Sequence, residues 1–327
     1  MVSPGEAGMD TAVIICTNLT KVYAGGTVAL KNLNLHIEQR TSFGLLGENG
    51  AGKSTLVRLI MGFIQPTRGE LSVLGERKVS LAHPRIGYLH ERPYVELRFT
   101  GRRYLTYMAQ LSGYWGNINR RRVNEVLELV ELGAAGDKKL NSYSKGMLQR
   151  LCIAQALLTE PEFLLLDEPG AGLDPYSQWE VRQVINELRR RGKTLLICSH
   201  YLAEIEMLCD KVAILQAGRL VQSGAVKDLI HTFDVVEILL SGELLASEIT
   251  ARLQLSEHIL EMERNLLKIP ASAQQIVLAA LVQAAIPIQS LNPQSRTLEE
   301  VYIQATRPEA RAAMLADQAA ELLKSGQ

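Results

Sequence analysis

The chain has 327 residues, enough for one large domain plus a smaller appendage around a substantial core. Apolar residues make up 47%, and 35 Lys plus Arg balance 35 Asp plus Glu, so no whole-molecule field draws nucleic acid and an anion site has to be local. Glu6 and Asp10, with no basic stretch ahead of an apolar run, argue against a secretory signal; Cys16, Cys152, Cys198 and Cys209 stand singly without CxxC spacing, which argues against disulfides and metal and leaves buried thiols.

After a flexible start over residues 1–11, Ala12 to Cys16 and Leu30 to Ile37 alternate or run apolar as strands do, with Gly25 and Gly26 turning the chain between them. Ser42 to Leu46 is a short apolar strand that enters a glycine-rich loop, followed by helical spacing from Lys53 to Gly62. Thr100 to Glu131 is helical in pattern, broken by Gly113, Gly116 and Asn117, and marks a helical subdomain over about residues 98–160. From there strands (Phe163 to Leu166, Thr194 to Cys198, Val212 to Leu215) alternate with helices (Pro175 to Arg191, Leu202 to Leu208), the pattern of a largely parallel sheet. Beyond residue 230 come shorter pieces: strands at Val235 to Leu240 and Leu266 to Ile269, helices at Ser247 to Leu253 and Ala273 to Val282. These predict a small α+β appendage over residues 231–306. Thr297 to Glu300 has capping-box spacing, and residues 307–327 read as a helical or frayed tail. The most membrane-like stretch, residues 276–288, is interrupted by Gln283 and Pro287 and is shorter than the roughly 18 apolar residues of a spanning helix. It reads as a helix leading into a strand, so if the protein acts on a membrane process another chain has to provide the pore.

Two motifs carry chemistry. Gly47, Glu48, Asn49, Gly50, Ala51, Gly52, Lys53 and Ser54 fit G-x-x-x-x-G-K-[ST] between a predicted strand and a predicted helix. In such a loop backbone N–H groups wrap the β-phosphate, the helix N-terminus adds its dipole, Lys53 reaches the β- and γ-phosphates, and Ser54, followed by Thr55, sits at the Mg²⁺. Phe163 to Leu166 ends in Asp167 and Glu168. On a parallel strand adjacent to the phosphate-loop strand, Asp167 would hold a metal-bound water and Glu168 would polarise the attacking water as a general base; acidic residues at strand ends also serve as plain turn formers.

Over residues 12–230 the chain resembles the nucleotide-binding subunit of ABC transporters, of the drug-, lipid- or polysaccharide-exporting kind. The resemblance implies an α/β P-loop NTPase cassette: a RecA-like parallel-sheet core, an antiparallel β portion and a helical subdomain. Further short motifs carry it. Tyr143, Ser144, Lys145, Gly146, Met147 resembles the signature motif, Gly172, Leu173, Asp174, Pro175 the D-loop, His200 the switch histidine, Tyr23 the adenine-stacking aromatic, and Glu91 the Gln-loop residue at the metal. Alone, Ser144 is also a helix N-cap, His200 a satisfied histidine at a strand end and Tyr23 a surface aromatic. The resemblance implies ATP and Mg²⁺ as ligands, hydrolysis by Glu168, His200 and Lys53, and a head-to-tail pair in which Ser144 and Gly146 of one subunit close over ATP held by the other. It also implies a separate transmembrane permease subunit and a peripheral place on the cytoplasmic face of the membrane.

The motif has departures: Lys145 replaces a glycine, Tyr143 a leucine, and His90–Glu91 the more usual Pro–Gln. Glu91 adds negative charge beside the phosphates. The Arg- and Tyr-rich residues 92–107 border the groove where the family receives a helix of the membrane subunit, or else form a solvated face; Arg98, Arg102 and Arg103 are the expected docking charges. The alternative function is a soluble ATPase acting on ribosomes or nucleic acid, disfavoured by the neutral charge and the single cassette; a regulator without turnover is disfavoured by Glu168, Lys53 and His200.

Overall fold

The computed structural model describes residues 12–91, 94–230, 235–241, 249–250, 253, 255–294 and 297–306. The expectations for residues 1–11 and 307–327, and most of the helix expected at Ser247 to Leu253, fall outside them. Two compact units divide between Ala225 and Val226.

In the first unit, β1 (Ala12–Val22) pairs antiparallel with β2 (Val28–Glu38) and β4 (Arg68–Val73), giving the order β2-β1-β4. A six-stranded sheet has the order β5-β6-β7-β3-β8-β9, from β3 (Ser42–Leu46), β5 (Ile86–Leu89), β6 (Phe163–Asp167), β7 (Thr194–Cys198), β8 (Lys211–Gln216) and β9 (Arg219–Ala225). All pairs are parallel except β8 with β9. β3, β6 and β7 are buried at every position, which is why they read as unbroken apolar runs.

One expectation is corrected here. β6 does not lie next to the phosphate-loop strand β3; β7 is inserted between them. Strand order in a parallel sheet is set by crossovers that local periodicity does not encode. The functional geometry survives because Asp167 and Leu45 are both level with Cys198 of β7. Two strand spacings, roughly 10 Å, separate them across the same sheet edge. The unpredicted strands β4, β5 and β9 are polar, or short and glycine-containing: β9 has no buried position, and β5 is four residues with Gly87 inside.

Helix α1 (Lys53–Ile60) follows β3. The helical part contains α2 (Gly101–Leu111), α3 (Gly116–Leu129) and α4 (Lys145–Leu157); Gly113 and Gly116, both at positive φ, break α2 from α3. α5 (Pro175–Arg190) joins β6 to β7, and α6 (Leu202–Leu208) follows β7. All four cysteines are buried and free, and burial pushes the Cys16 and Cys152 thiols up to about 12.

The second unit contains α7 (Val226–Ile230), β10 (Val235–Leu240), β11 (Glu261–Glu263), β12 (Leu266–Pro270), α8 (Gln274–Gln283), β13 (Ile288–Gln294) and α9 (Leu298–Thr306). Its antiparallel sheet runs β11-β12-β10-β13, the order of a split βαβ arrangement. One face (Val236, Ile238, Leu240, Leu267, Ile269) packs with Val277 and Leu281 of α8. On the other face Lys268 bridges Glu261 at 2.7 Å and Glu237 at 3.7 Å. The capping box before α9 forms both of its bonds: Glu300 N–H donates to the Thr297 hydroxyl at 3.3 Å, and Thr297 N–H to the Glu300 carboxylate at 3.2 Å. No helix among the described residues is long and apolar enough to cross a membrane.

Candidate functional site

The phosphate loop leaves β3 at Gly47 and enters α1 at Gly52, whose φ of 111° is open to glycine; a Cβ there would also lie 2.7 Å from the Ala29 carbonyl oxygen. α1 starts without a side-chain cap, so its first-turn N–H groups suit an anion. Lys53 is buried, and its ammonium donates to the Gly47 carbonyl at 2.5 Å and the Glu48 carbonyl at 3.4 Å, which holds it across the loop. Gly50 faces open space, whereas Ser54 is exposed at the start of α1. Beside the loop, the Tyr23 hydroxyl lies 3.3 Å from the Thr55 hydroxyl, with the Lys21 ammonium 5.6 Å from the Tyr23 ring. Tyr23 is therefore next to the phosphate loop although it lies 24 positions before Gly47 in sequence.

At the end of β6, Asp167 is buried and its carboxyl is pushed up to about 6, first by burial and then by the charges of Glu168 and Glu91; His90 and Lys53 pull it the other way. Glu91 and Lys53 thus act on one carboxylate from two loops. Glu168 takes a left-handed backbone (φ 51°), a conformation that costs a non-glycine residue roughly 1–3 kcal/mol, and its N–H is held by the Cys198 carbonyl at 2.8 Å. That turn brings the Glu168 carboxylate to 2.8 Å from Nδ1 of His200. His200, after β7, is half-exposed and tilts against Tyr201 at 4.0 Å between ring centroids. Sequence reading missed the supports of this turn. Gln149 donates to the Pro169 carbonyl at 2.9 Å, Gln178 to Gly170 and Leu173 at 3.3 Å, and Ser199 to Glu204 at 2.8 Å. Local spacing gives no sign of the Gln149–Pro169 contact, which joins segments 20 positions apart.

Asp167 sets a pH expectation. Its folded value of about 6 exceeds the ordinary 3.8, so its contribution to stability is complete below about pH 4 and is lost as pH rises through 6. Asp167→Asn removes that loss and should stabilise the ligand-free protein near pH 8 by up to about 3 kcal/mol while leaving stability at pH 4 unchanged. Melting temperatures of both proteins against pH check this; a difference that stays flat across the range contradicts it.

A second cluster surrounds Ser144. Its hydroxyl accepts from Met147 N–H at 3.1 Å, so the N-cap role is real, and both Ser144 and Lys145 are exposed at the start of α4. Asp174 caps α5 in the same way, accepting from Ser177 N–H at 3.0 Å and from the Ser177 hydroxyl at 2.7 Å. Gly146 ties the two helix starts together: a Cβ there would meet the Ser177 side chain at 2.5 and 2.6 Å. Tyr143, in place of the expected leucine, is buried and donates to the Ala135 carbonyl at 2.8 Å.

Residues 30–171 match the ABC transporter family. An uncharacterised ABC transporter ATP-binding protein of Nostoc sp. (strain PCC 7120), all4389, is 42% identical over 67% of this chain and 68% of its own length. The daunorubicin resistance ATP-binding protein DrrA3 of Streptomyces coeruleorubidus is 34% identical over 92% of this chain and 98% of its own. The chain belongs to the ABC transporter ATP-binding proteins. Among solved structures, a dimeric post-hydrolysis state of the ATP-binding cassette MJ0796 bound to ADP and Pi superposes with a TM-score of 0.57 at 25% identity, covering 65% of this chain and 98% of that one. ABC ATPases generally hydrolyse ATP.

One expected docking charge is engaged inside the ABC cassette itself. Arg102 pairs with Asp137 at 2.9 Å and with Asn124, whereas Arg98 is exposed and Arg103 lies over the Phe99 ring at 5.0 Å.

Proposed function

We propose that this chain is the ATP-hydrolysing subunit of an ABC exporter: two cassettes close on ATP, and their opening after hydrolysis drives a separate membrane-spanning subunit. The observation that carries it is the Glu168–His200 pair at 2.8 Å, at the same sheet edge as the phosphate loop. Glu168 is the general base, His200 orients it and reaches the γ-phosphate, and Lys53 neutralises phosphate charge. Tyr23 stacks on the base, while Gly47, Asn49, Gly50, Gly52 and Thr55 shape the loop. The start of α4, where Ser144 is exposed and Gly146 is buried against α5, closes over ATP on the other subunit, with Asp174 beside it. ATP therefore binds the closed state more strongly than the open one.

The donors fit Mg²⁺ by chemistry: Ser54, Asp167 and Glu91 offer oxygen, and the negative charges of Glu168 and Glu91 that raise Asp167 are what a cation would offset. Ser54, Asp167 and Glu91 would hold the ion, which supplies charge neutralisation at the phosphates. DrrA3 is named for drug resistance and other relatives for bacitracin transport and Nod factor export, which supports export and disfavours a role on ribosomes or nucleic acid.

The test is Mg²⁺-dependent phosphate release by the purified chain together with its membrane subunit; no release with both present sinks the proposal. Tyr23→Ala should raise KM for ATP about tenfold, within the 1–3 kcal/mol of base stacking, with kcat little changed. An unchanged KM would remove Tyr23 from the site. Reversing Arg98 and Arg103 to Glu should cut transport in reconstituted vesicles severalfold and leave basal ATPase intact; equal loss of both activities rules out docking there.

A further inference from the structure

The ATPase reading does not account for the outer face of α8. Residues 269–295 contain no Asp, Glu, Lys, Arg or His, although 21% of the chain is charged. α8 turns Val277 and Leu281 into the core of its unit. Its opposite face, Gln275, Ile276, Ala279, Val282 and Gln283, is exposed, with Ile276 at 52% and Val282 at 69%. A solvated helix face normally carries charge, and interface centres are where charge is depleted.

The order of residues on this face is nearly palindromic about Ala279: Gln275 mirrors Gln283, and Ile276 mirrors Val282. If two copies cross antiparallel on a two-fold axis at Ala279, Ile276 of each faces Val282 of the other, and Gln275 faces Gln283. Each match occurs twice, as an isologous contact requires. The small Ala279 side chain at the crossing lets the helices approach to the roughly 8 Å of close packing. We propose that α8 is a self-association surface that docks on α8 of a second copy of this chain without nucleotide. A charged partner or an anionic lipid surface would find no complementary charge here, whereas a second copy brings the same neutral apolar and amide groups.

Size limits what the contact does. A ten-residue helix is about 15 Å long and buries less than the roughly 1,000 Å² of a stable interface, so the pairing is weak alone. It acts by avidity, keeping two cassettes at high local concentration while the ATP site between them is open.

The experiment uses the full chain without nucleotide. Because the four native thiols are buried, Ala279→Cys introduces the reactive one. Under mild oxidation it should form disulfide-linked dimers at least tenfold faster than Gln289→Cys, an exposed control on β13. Ala279→Glu puts two like charges on the axis and should weaken self-association in sedimentation at least tenfold, with an unchanged circular dichroism spectrum. Equal cross-linking rates, wild-type association of the Glu variant or, once the membrane subunit is added, cross-linking of position 279 to that subunit instead of a second copy each overturn the proposal. With nucleotide absent throughout, these outcomes leave the proposed ATP site untouched, and loss of ATPase activity leaves them untouched in turn.

Discussion

Glu168→Gln should lower ATP turnover by about 10²–10⁴, the usual contribution of a positioned general base, while leaving ATP binding intact. The amide keeps the shape of the side chain and can still hydrogen-bond His200, now 2.8 Å from the carboxylate, but it cannot take a proton from water. With cleavage blocked, ATP remains between the two cassettes and the closed pair accumulates, because the ligand that favours that state is not consumed. Size-exclusion chromatography with Mg²⁺ and ATP should show a shift from monomer to dimer, and phosphate release should fall to near background. His200→Ala offers an internal comparison: it removes the positioning partner, so it should also slow turnover. A Gln variant that turns over at the wild-type rate would move the general base elsewhere.

The phosphate loop was legible in the sequence because its chemistry demands glycines and a lysine at fixed spacing, whatever the rest of the chain does. The strand ending in Asp167 and Glu168 was legible for a similar reason: a fully buried parallel strand leaves an unbroken apolar run. Its place in the sheet was not. Nothing in Phe163 to Asp167 says that β7 separates it from β3, since strand order depends on how crossovers pack. β9 escaped notice because an edge strand with no buried position has no alternation to show. Around Ser144 the sequence left two readings, and the structure makes the hydroxyl a helix cap. Capping fixes the helix start that would meet the second subunit's phosphate, so the two roles are compatible. The long-range contacts that brace the site were illegible because they join segments distant in sequence, as Gly146 meets Ser177 and Gln149 meets Pro169.

Arg150 is the strongest of those braces, and its loss should be among the most destabilising single changes in the chain. It projects from α4 one turn after Gly146, its side chain is 6% exposed, and it bonds Glu180 of α5 at 2.9 Å and the Val130 carbonyl at 3.1 Å. Among the described residues its Nε has no partner, so the site already bears part of the cost of burying the cation. Arg150→Met leaves the Glu180 carboxylate, itself only 16% exposed, without its cation, and breaking a buried pair from one side typically costs 3–5 kcal/mol. For a unit of this size that corresponds to a fall in Tm of about 6–20 °C. Combining Arg150→Met with Glu180→Leu removes both charges and should recover most of the loss, because two apolar side chains need no desolvation compensation. The brace also bears on function. Gly146 against Ser177 and Arg150 against Glu180 are successive contacts along one helix pair, so the starts of α4 and α5 move together. A double variant that regains its Tm but not ATP-dependent dimerisation would show that the ion pair sets the register of Ser144 to Asp174; if both return together, the pair serves stability alone.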